Sequence, residues 1–296
     1  MFIIFVYQIF KNVNMIKKPN SLFYKQMLTG KTVLMSFLIA ATLSSCSKNN
    51  EEMTSEAQTN AFNADNVKKG QLNGQEITYE RKNGMNFFQG DIVLSDKQLS
   101  EGNEVNKGGA SYSRWPNGKI YYTIASNMGS INVNKINSAI SEYNNKTNTQ
   151  WIYRTNQSNY VEFIFGSSSG SDGWAHIGYQ GGKQTVSLDQ YISVGSVIHE
   201  MGHTVGLYHE HTRKDRDQHV KILWNNIQNG QSYNFNIYNS GTDIGPFNIN
   251  SVMMYWPTSY SRNGLPTITR ADNSNFTYNR TGFTTGDINT INAMYP

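Results

Sequence analysis

Between residues 119 and 189, short runs rich in β-branched and aromatic side chains alternate with polar, turn-forming ones. They are KIYYTI (119–124), QWIYR (150–154), YVEFIFG (160–166), GWAHIGYQ (173–180) and QTVSLD (184–189). Runs of this length, bounded by Gly, Asn and Ser, predict five strands. Two other stretches repeat their apolar positions with a helical period. Ile136, Ala139, Ile140 and Tyr143 predict a helix between the first two strands; Val194, Val197, Ile198, Met201 and Val205 predict another within SVGSVIHEMGHTVG. Beyond residue 210 Gly, Asn and Pro dominate and regular structure thins. A last short helix is expected at TTGDINTINAMY (284–295), capped by Thr285 or Asp287. The expected layout is α+β, a twisted sheet with two helices followed by a less regular half.

Upstream, ITYERKNGMNFFQGDIVLS (77–95) carries enough apolar material to be ordered, whereas 47–70 reads as a polar linker. A second polar stretch, EGNEVNKGGASYSR (101–114), reads as an exposed processing loop, leaving 108–296 as the main domain. The segment GKTVLMSFLIAATLSSCSKNNEE (30–52) has a basic flank and an apolar stretch too short for a comfortable permanent span. Its Leu43-Ser44-Ser45-Cys46 resembles a bacterial lipobox, in which the cysteine thiol receives the lipid. Residues 1–46 are therefore expected to be a signal peptide ending at Cys46, with Met15, Met27 or another later methionine as the start of translation.

Composition adds exclusions. The 296 residues are 38% hydrophobic and only 16% charged, so the surface is rich in Asn, Ser, Thr and Gly, as suits an extracytoplasmic protein. A net charge of +4 with no long Lys/Arg block gives no case for nucleic acid. The one cysteine rules out an intramolecular disulfide framework.

Three of the six histidines fall in HEMGHTVGLYH (199–209). His199 and His203 are four apart, so on a helix they share one face a turn apart. Gly206 stands where the helix should stop, since glycine accepts the left-handed conformation that reverses the chain. The reversal brings His209 back under the other two. Three imidazole nitrogens with an open fourth position describe a catalytic zinc site. Glu200 adjoins the first ligand but points elsewhere around the helix, where it can take a proton from an attacking water and pass it to a departing amine.

The run HExxHxxGxxH continues into HEHTRKDRD (209–217) and is followed by SVMMY (251–255). This combination resembles the astacin family of metzincin zinc endopeptidases over roughly residues 85–296. The resemblance implies a zincin-like fold of two subdomains. Its sheet is twisted and mostly parallel, five-stranded with an antiparallel edge strand, and it carries two long helices; the second subdomain is irregular and ends in a short helix. It further implies His199, His203 and His209 as ligands of one Zn2+, Glu200 as general base, Met253 as the turn methionine beneath the metal, and Tyr255 as a stabiliser of the oxyanion. Glu210 resembles the buried glutamate that receives the mature amino terminus. FFQGD (87–91) resembles the propeptide motif Phe-x-Gly-Asp, which makes Asp91 the latency ligand, in preference to Cys46 acting as a thiol switch. His211 lies within the signature but is not a ligand there, and His176 and His219 have no motif support for metal binding.

The expectation is a monomeric, latent proenzyme, with residues 47–107 as tether and propeptide and 108–296 as catalytic domain. Its precursor would be lipid-anchored at the outer membrane or cell surface. Its partners would be protein substrates and an activating protease that cuts within 101–112, and activation could release it. The competing reading is a catalytically inactive zinc-containing adhesion lipoprotein, which would need neither Glu200 nor Tyr255.

Overall fold

The computed structural model describes residues 64–100, 114–166 and 172–296. Cys46, the expected signal segment, the expected tether before 64 and the expected cleavage stretch 101–112 lie outside them. In chain order the elements are β1 (Val67–Leu72), β2 (Gln75–Lys82), β3 (Met85–Phe88), β4 (Ile92–Leu94) and α1 (Asp96–Ser100), all before residue 101. There follow β5 (Lys119–Ile124), α2 (Ser130–Lys146), β6 (Gln150–Tyr153), β7 (Tyr160–Phe165), β8 (Gly173–His176), β9 (Lys183–Leu188) and α3 (Val194–Val205). The rest is β10 (Val220–Ile222), β11 (Ile268–Arg270) and α4 (Thr285–Met294), joined by long irregular segments and short 3-10 turns.

The five predicted strands pair in the order β6-β5-β7-β9-β8, parallel except for β8, which runs antiparallel to β9. The helical stripes pack on this sheet. Ile136, Ala139, Ile140 and Tyr143 of α2 and Val197, Ile198, Met201 and Val205 of α3 are all buried against Ile120, Val161, Phe163, Val186 and Leu188. Each such aliphatic side chain removed from water contributes roughly 1.5–3 kcal/mol, so the two stripes hold the helices in place far more firmly than propensity could. The Tyr143 hydroxyl, buried between them, donates to the Ile198 carbonyl at 3.0 Å. Past α3 the chain builds a second, smaller core from Val220, Ile222, Phe235, Met254, Tyr255, Ile268 and Phe276.

Three expectations need correction. First, β8 is not an edge in this chain. β4 pairs with it in parallel (Ile92↔Ala175, Val93↔His176) and extends the sheet to nine strands through the antiparallel meander β1-β2-β3-β4. Second, order begins before residue 70. β1 pairs with β2 across an Asn73-Gly74 turn in which both residues have positive φ (53° and 78°), the twist that a two-residue hairpin needs. β1 buries only Leu72 fully, which is why its sequence looks like a linker. Third, α4 is capped by Thr284, not by Thr285 or Asp287. The Thr284 side chain accepts from the Asp287 amide, and Asp287 returns a bond to the Thr284 amide, forming a capping box.

Candidate functional site

Ser193 starts α3 by accepting a hydrogen bond from the Ser196 amide at 3.0 Å. Gly206 ends it with φ 108°, its N–H donating back to the Gly202 and His203 carbonyls. The turn that follows carries His209 beneath the helix, so His199, His203 and His209 meet in a region where each is at most 3% exposed.

The orientation of each ring is set by what its Nδ1 touches. His199 Nδ1–H donates to the Val252 carbonyl at 2.8 Å, His203 Nδ1–H to the Leu207 carbonyl at 2.8 Å and His209 Nδ1–H to Gln89 Oε1 at 3.1 Å. With the protons on Nδ1, all three Nε2 lone pairs point at one another. The Asp91 carboxylate closes the group, with Oδ2 3.4 Å from His199 Nε2 and Oδ1 3.4 and 3.2 Å from the Nε2 atoms of His203 and His209. The His199 and His209 Nε2 atoms are 3.3 Å apart. Four acceptors thus converge without a donor, and buried His203 Nε2 and Asp91 Oδ1 have no hydrogen-bond partner. Only a cation reconciles them. Ligand atoms set tetrahedrally around zinc at ~2.0–2.1 Å lie about 3.3 Å from one another, which matches these separations. Burial holds the imidazoles of His199 and His209 far below their ordinary 6.5, at about 3 and about 4, so both are neutral ligands at physiological pH.

Asp91 reaches this position from the tip of the β3–β4 hairpin. Gln89 and Gly90 there have φ of 49° and 84°. A Cβ on Gly90 would lie 2.0 Å from the Tyr260 hydroxyl oxygen, so glycine is required both for the turn and for the space. Gln89 was not singled out by sequence, yet it contributes twice: its side chain orients His209, and its carbonyl accepts the Tyr255 hydroxyl at 2.5 Å. The Tyr255 ring lies against His209 and His211, with centroids 4.5 and 3.9 Å away. His211 is buried and bonded through Nε2 to the Asn234 carbonyl, outside the ligand set, as expected.

Glu200 is 2% exposed and packs against Gly173 of β8, where a Cβ would come within 3.0 Å of Glu200 Cγ. Burial first, and the neighbouring Asp91 charge second, push its carboxyl well above the ordinary 4.5. Met253 sits in the Ser251–Met254 turn beneath α3. Its sulfur would be 2.6 Å from a Cβ on Gly202, so the glycine between the two helical histidines makes room for the turn. The turn is anchored twice. Glu210 N–H donates to the Met253 carbonyl at 3.0 Å. Arg280 Nη1, another residue that sequence reasoning missed, donates to the Val252 and Met254 carbonyls at 2.6 and 3.2 Å. The Val252 carbonyl therefore links Arg280 to His199.

Glu210 faces away from the metal group. Its Oε1 accepts the Asn248 N–H at 2.7 Å and lies 3.6 Å from Arg213 Nε. Burial raises its pKa to about 7. Beside it, between the Gly206–Arg213 segment and α4, is a cavity of about 100 Å³ lined by Glu210, Arg213, Tyr238, Ile244, Asp287 and Met294 among others.

Comparison with known proteins identifies the chain's relatives. The model of the peptidase family Astacin matches residues 108–296. Zinc metalloproteinase nas-4 of Caenorhabditis elegans is 33% identical over 221 residues, 71% of this chain and 69% of that protein. Flavastacin of Elizabethkingia meningoseptica is 29% identical over 291 residues, 90% of this chain and 65% of flavastacin. Among solved structures, high choriolytic enzyme 1, a hatching-enzyme zinc protease of the medaka Oryzias latipes, matches with TM-score 0.56 and 30% identity, over 62% of this chain and 93% of that one. On the strength of the matched domain and a three-histidine, one-aspartate zinc site, the chain belongs to the astacin family of zinc metalloendopeptidases.

Proposed function

We propose that this protein is a secreted or surface endopeptidase made as a latent proenzyme, in which residues 47–107 are tether and propeptide and 108–296 the catalytic domain. The observation that carries the reading is the Asp91 carboxylate seated among three buried Nε2 atoms, 3.2–3.4 Å from each. With a zinc ion held by the three histidines, the Asp91 carboxylate would take the place that the reaction needs for water and substrate.

Zinc on the histidine trio supplies Lewis acidity, which makes hydroxide accessible near neutral pH and polarises a peptide carbonyl. The protein's own groups do the rest. Glu200 takes the proton of the attacking water and delivers it to the departing amine. The Tyr255 hydroxyl, released from the Gln89 carbonyl when the prosegment leaves, donates to the oxyanion that develops on the substrate carbonyl. Val252, Leu207 and the Met253 turn keep the rings aimed while this happens. Glu210, buried beside a guanidinium that also pairs with Asp215, receives the ammonium of the new amino terminus in the adjacent cavity.

Activation follows a cut within 101–112 by another protease. The lipobox-like Cys46 leads to a precursor lipid-anchored at the outer membrane or cell surface, with the anchor on the prosegment side. Substrates are proteins or peptides. The assay that tests the function compares wild type with Glu200→Ala, both freed of the prosegment, on casein with zinc content measured in parallel. The reading predicts that the variant keeps its zinc and loses at least about 1,000-fold in rate, worth ~4 kcal/mol of barrier. Equal, measurable rates would overturn the role given to Glu200, and no rate for either favours the rival reading as a catalytically inactive zinc-containing binding lipoprotein.

A further inference from the structure

Much of what holds the prosegment to the catalytic domain lies away from Asp91. The sheet is continuous across the junction, with Ala175 N–H donating to the Asp91 carbonyl at 3.0 Å and Ile177 N–H to the Val93 carbonyl at 3.4 Å. Successive residues of β3 then grip the catalytic domain on opposite faces of that sheet. On one face Phe87 packs edge-on against Trp174 at 6.0 Å; on the other Phe88 packs against Tyr208 and Tyr238 at 6.1 and 5.6 Å. Leu72, Ile77, Ile92 and Leu94 share a buried cluster with Ile177 and Tyr238. At the far end the β1–β2 turn is tied down by three further bonds. Asn73 Nδ2 donates to the Tyr238 hydroxyl at 2.7 Å, Gln75 Nε2 to the Ile237 carbonyl at 3.3 Å, and Ser240 N–H to Gln75 Oε1 at 3.0 Å.

None of these contacts runs through the stretch 101–113 that joins the two parts. They are, moreover, made by strands already paired to one another in a four-stranded meander. A pre-paired ligand has less conformational entropy to lose on binding. Cutting the joint removes the effective concentration that a short linker provides, about millimolar, but leaves the interface itself intact.

We propose that residues 64–100, once excised, are a protein inhibitor of the enzyme that cut them loose, bound by sheet extension and by the Phe87 and Phe88 anchors as well as by Asp91. This deepens the latency reading above and rests on it. A single cut between 100 and 114 then yields a nicked, inactive complex. Activity appears only when the prosegment dissociates on dilution or is itself degraded. Where the precursor is membrane-anchored, the inhibitor stays on the membrane and recaptures protease that has not diffused away.

The test uses the full zinc-loaded chain with the recognition sequence of a highly specific protease placed within 101–113. After complete cutting at about 1 µM protein, the inference predicts that the two pieces co-elute in gel filtration and that peptidase activity stays below about a tenth of the value reached once the prosegment has been digested away. Diluting about 100-fold should raise the specific activity with time. Phe87→Ala with Phe88→Ala should make the pieces separate and activity appear sooner. Gln75→Ala, at a rim position that does not threaten folding, should do so to a smaller degree. Because these residues leave with the prosegment, the fully processed enzyme should be equally active in every case. Separation of the wild-type pieces on cutting, with full activity at once, overturns the inference. A prosegment-free enzyme without activity speaks instead against the endopeptidase reading, and co-elution then still decides whether the excised segment binds.

Discussion

Asp287 is 4% exposed, and its carboxylate is a junction between α4 and the methionine turn. It accepts from the Thr284 N–H and hydroxyl, both at 2.8 Å, from the Val252 N–H at 3.2 Å and from the Ser251 hydroxyl at 2.5 Å. Replacing it by alanine removes four bonds at once. The two hydroxyls can rotate to other acceptors, but the two amides cannot. Each amide left unpaired in the interior costs about 1–3 kcal/mol, and the Thr284 amide is itself the return half of the capping box. The expected loss is therefore about 2–6 kcal/mol, a drop of roughly 5–20 °C in Tm for a domain of this size. Urea unfolding of the full chain, wild type against Asp287→Ala, measures it. Asp287→Asn, which keeps one carbonyl acceptor, should cost less than half as much. Because Val252 N–H bonds Asp287 while its carbonyl orients His199, zinc affinity should also fall about tenfold or more. A loss below about 1 kcal/mol with unchanged zinc affinity would refute the claim that this carboxylate braces the metal site.

Glu210 carries a pH prediction. Its folded pKa is about 7 against an ordinary 4.5, so the unfolded chain releases that proton first as pH rises. The contribution is fully present below pH 4.5 and is lost as pH climbs towards 7. Relative to Glu210→Gln, the uncut chain should lose at most about 3 kcal/mol across that window; parallel urea titrations at several pH values measure the difference, and a constant gap would count against it. At Gly90, valine has no room beside the Tyr260 hydroxyl and an unfavourable φ of 84°. Gly90→Val should lift Asp91 from the histidines and give the uncut chain measurable peptidase activity, while the processed enzyme is unchanged; a still-silent uncut variant would contradict it.

The strands, both long helices and the ligand histidines were legible because each is a local signal. A period of two or of about 3.6 is written in consecutive residues, and the 199–209 spacing turns a helix and a glycine stop into a metal site. The pairing of β4 with β8 was not, since nothing in GWAHIGYQ says which distant segment will lie beside it. Asn73-Gly74 and Asn83-Gly84, with positive φ at all four residues, did carry a readable hairpin signal. It was masked by the mostly polar, half-exposed character of β1 and β2. Gln89 and Arg280 act on the histidines across 120 and 81 positions of sequence, through a side-chain amide in one case and a carbonyl in the other. No local pattern marks such residues, and they emerge only when the partners of each Nδ1 are traced.

The central claim is that Asp91 and three histidines share one zinc. Zinc K-edge X-ray absorption on the uncut full chain tests this directly, with Asp91→Ala beside it. One zinc per chain is predicted, with three imidazole nitrogens and one oxygen at ~2.0–2.1 Å, the oxygen shell changing in the variant while the three imidazoles remain. A metal-free chain, or zinc held with fewer than three imidazoles, would contradict it.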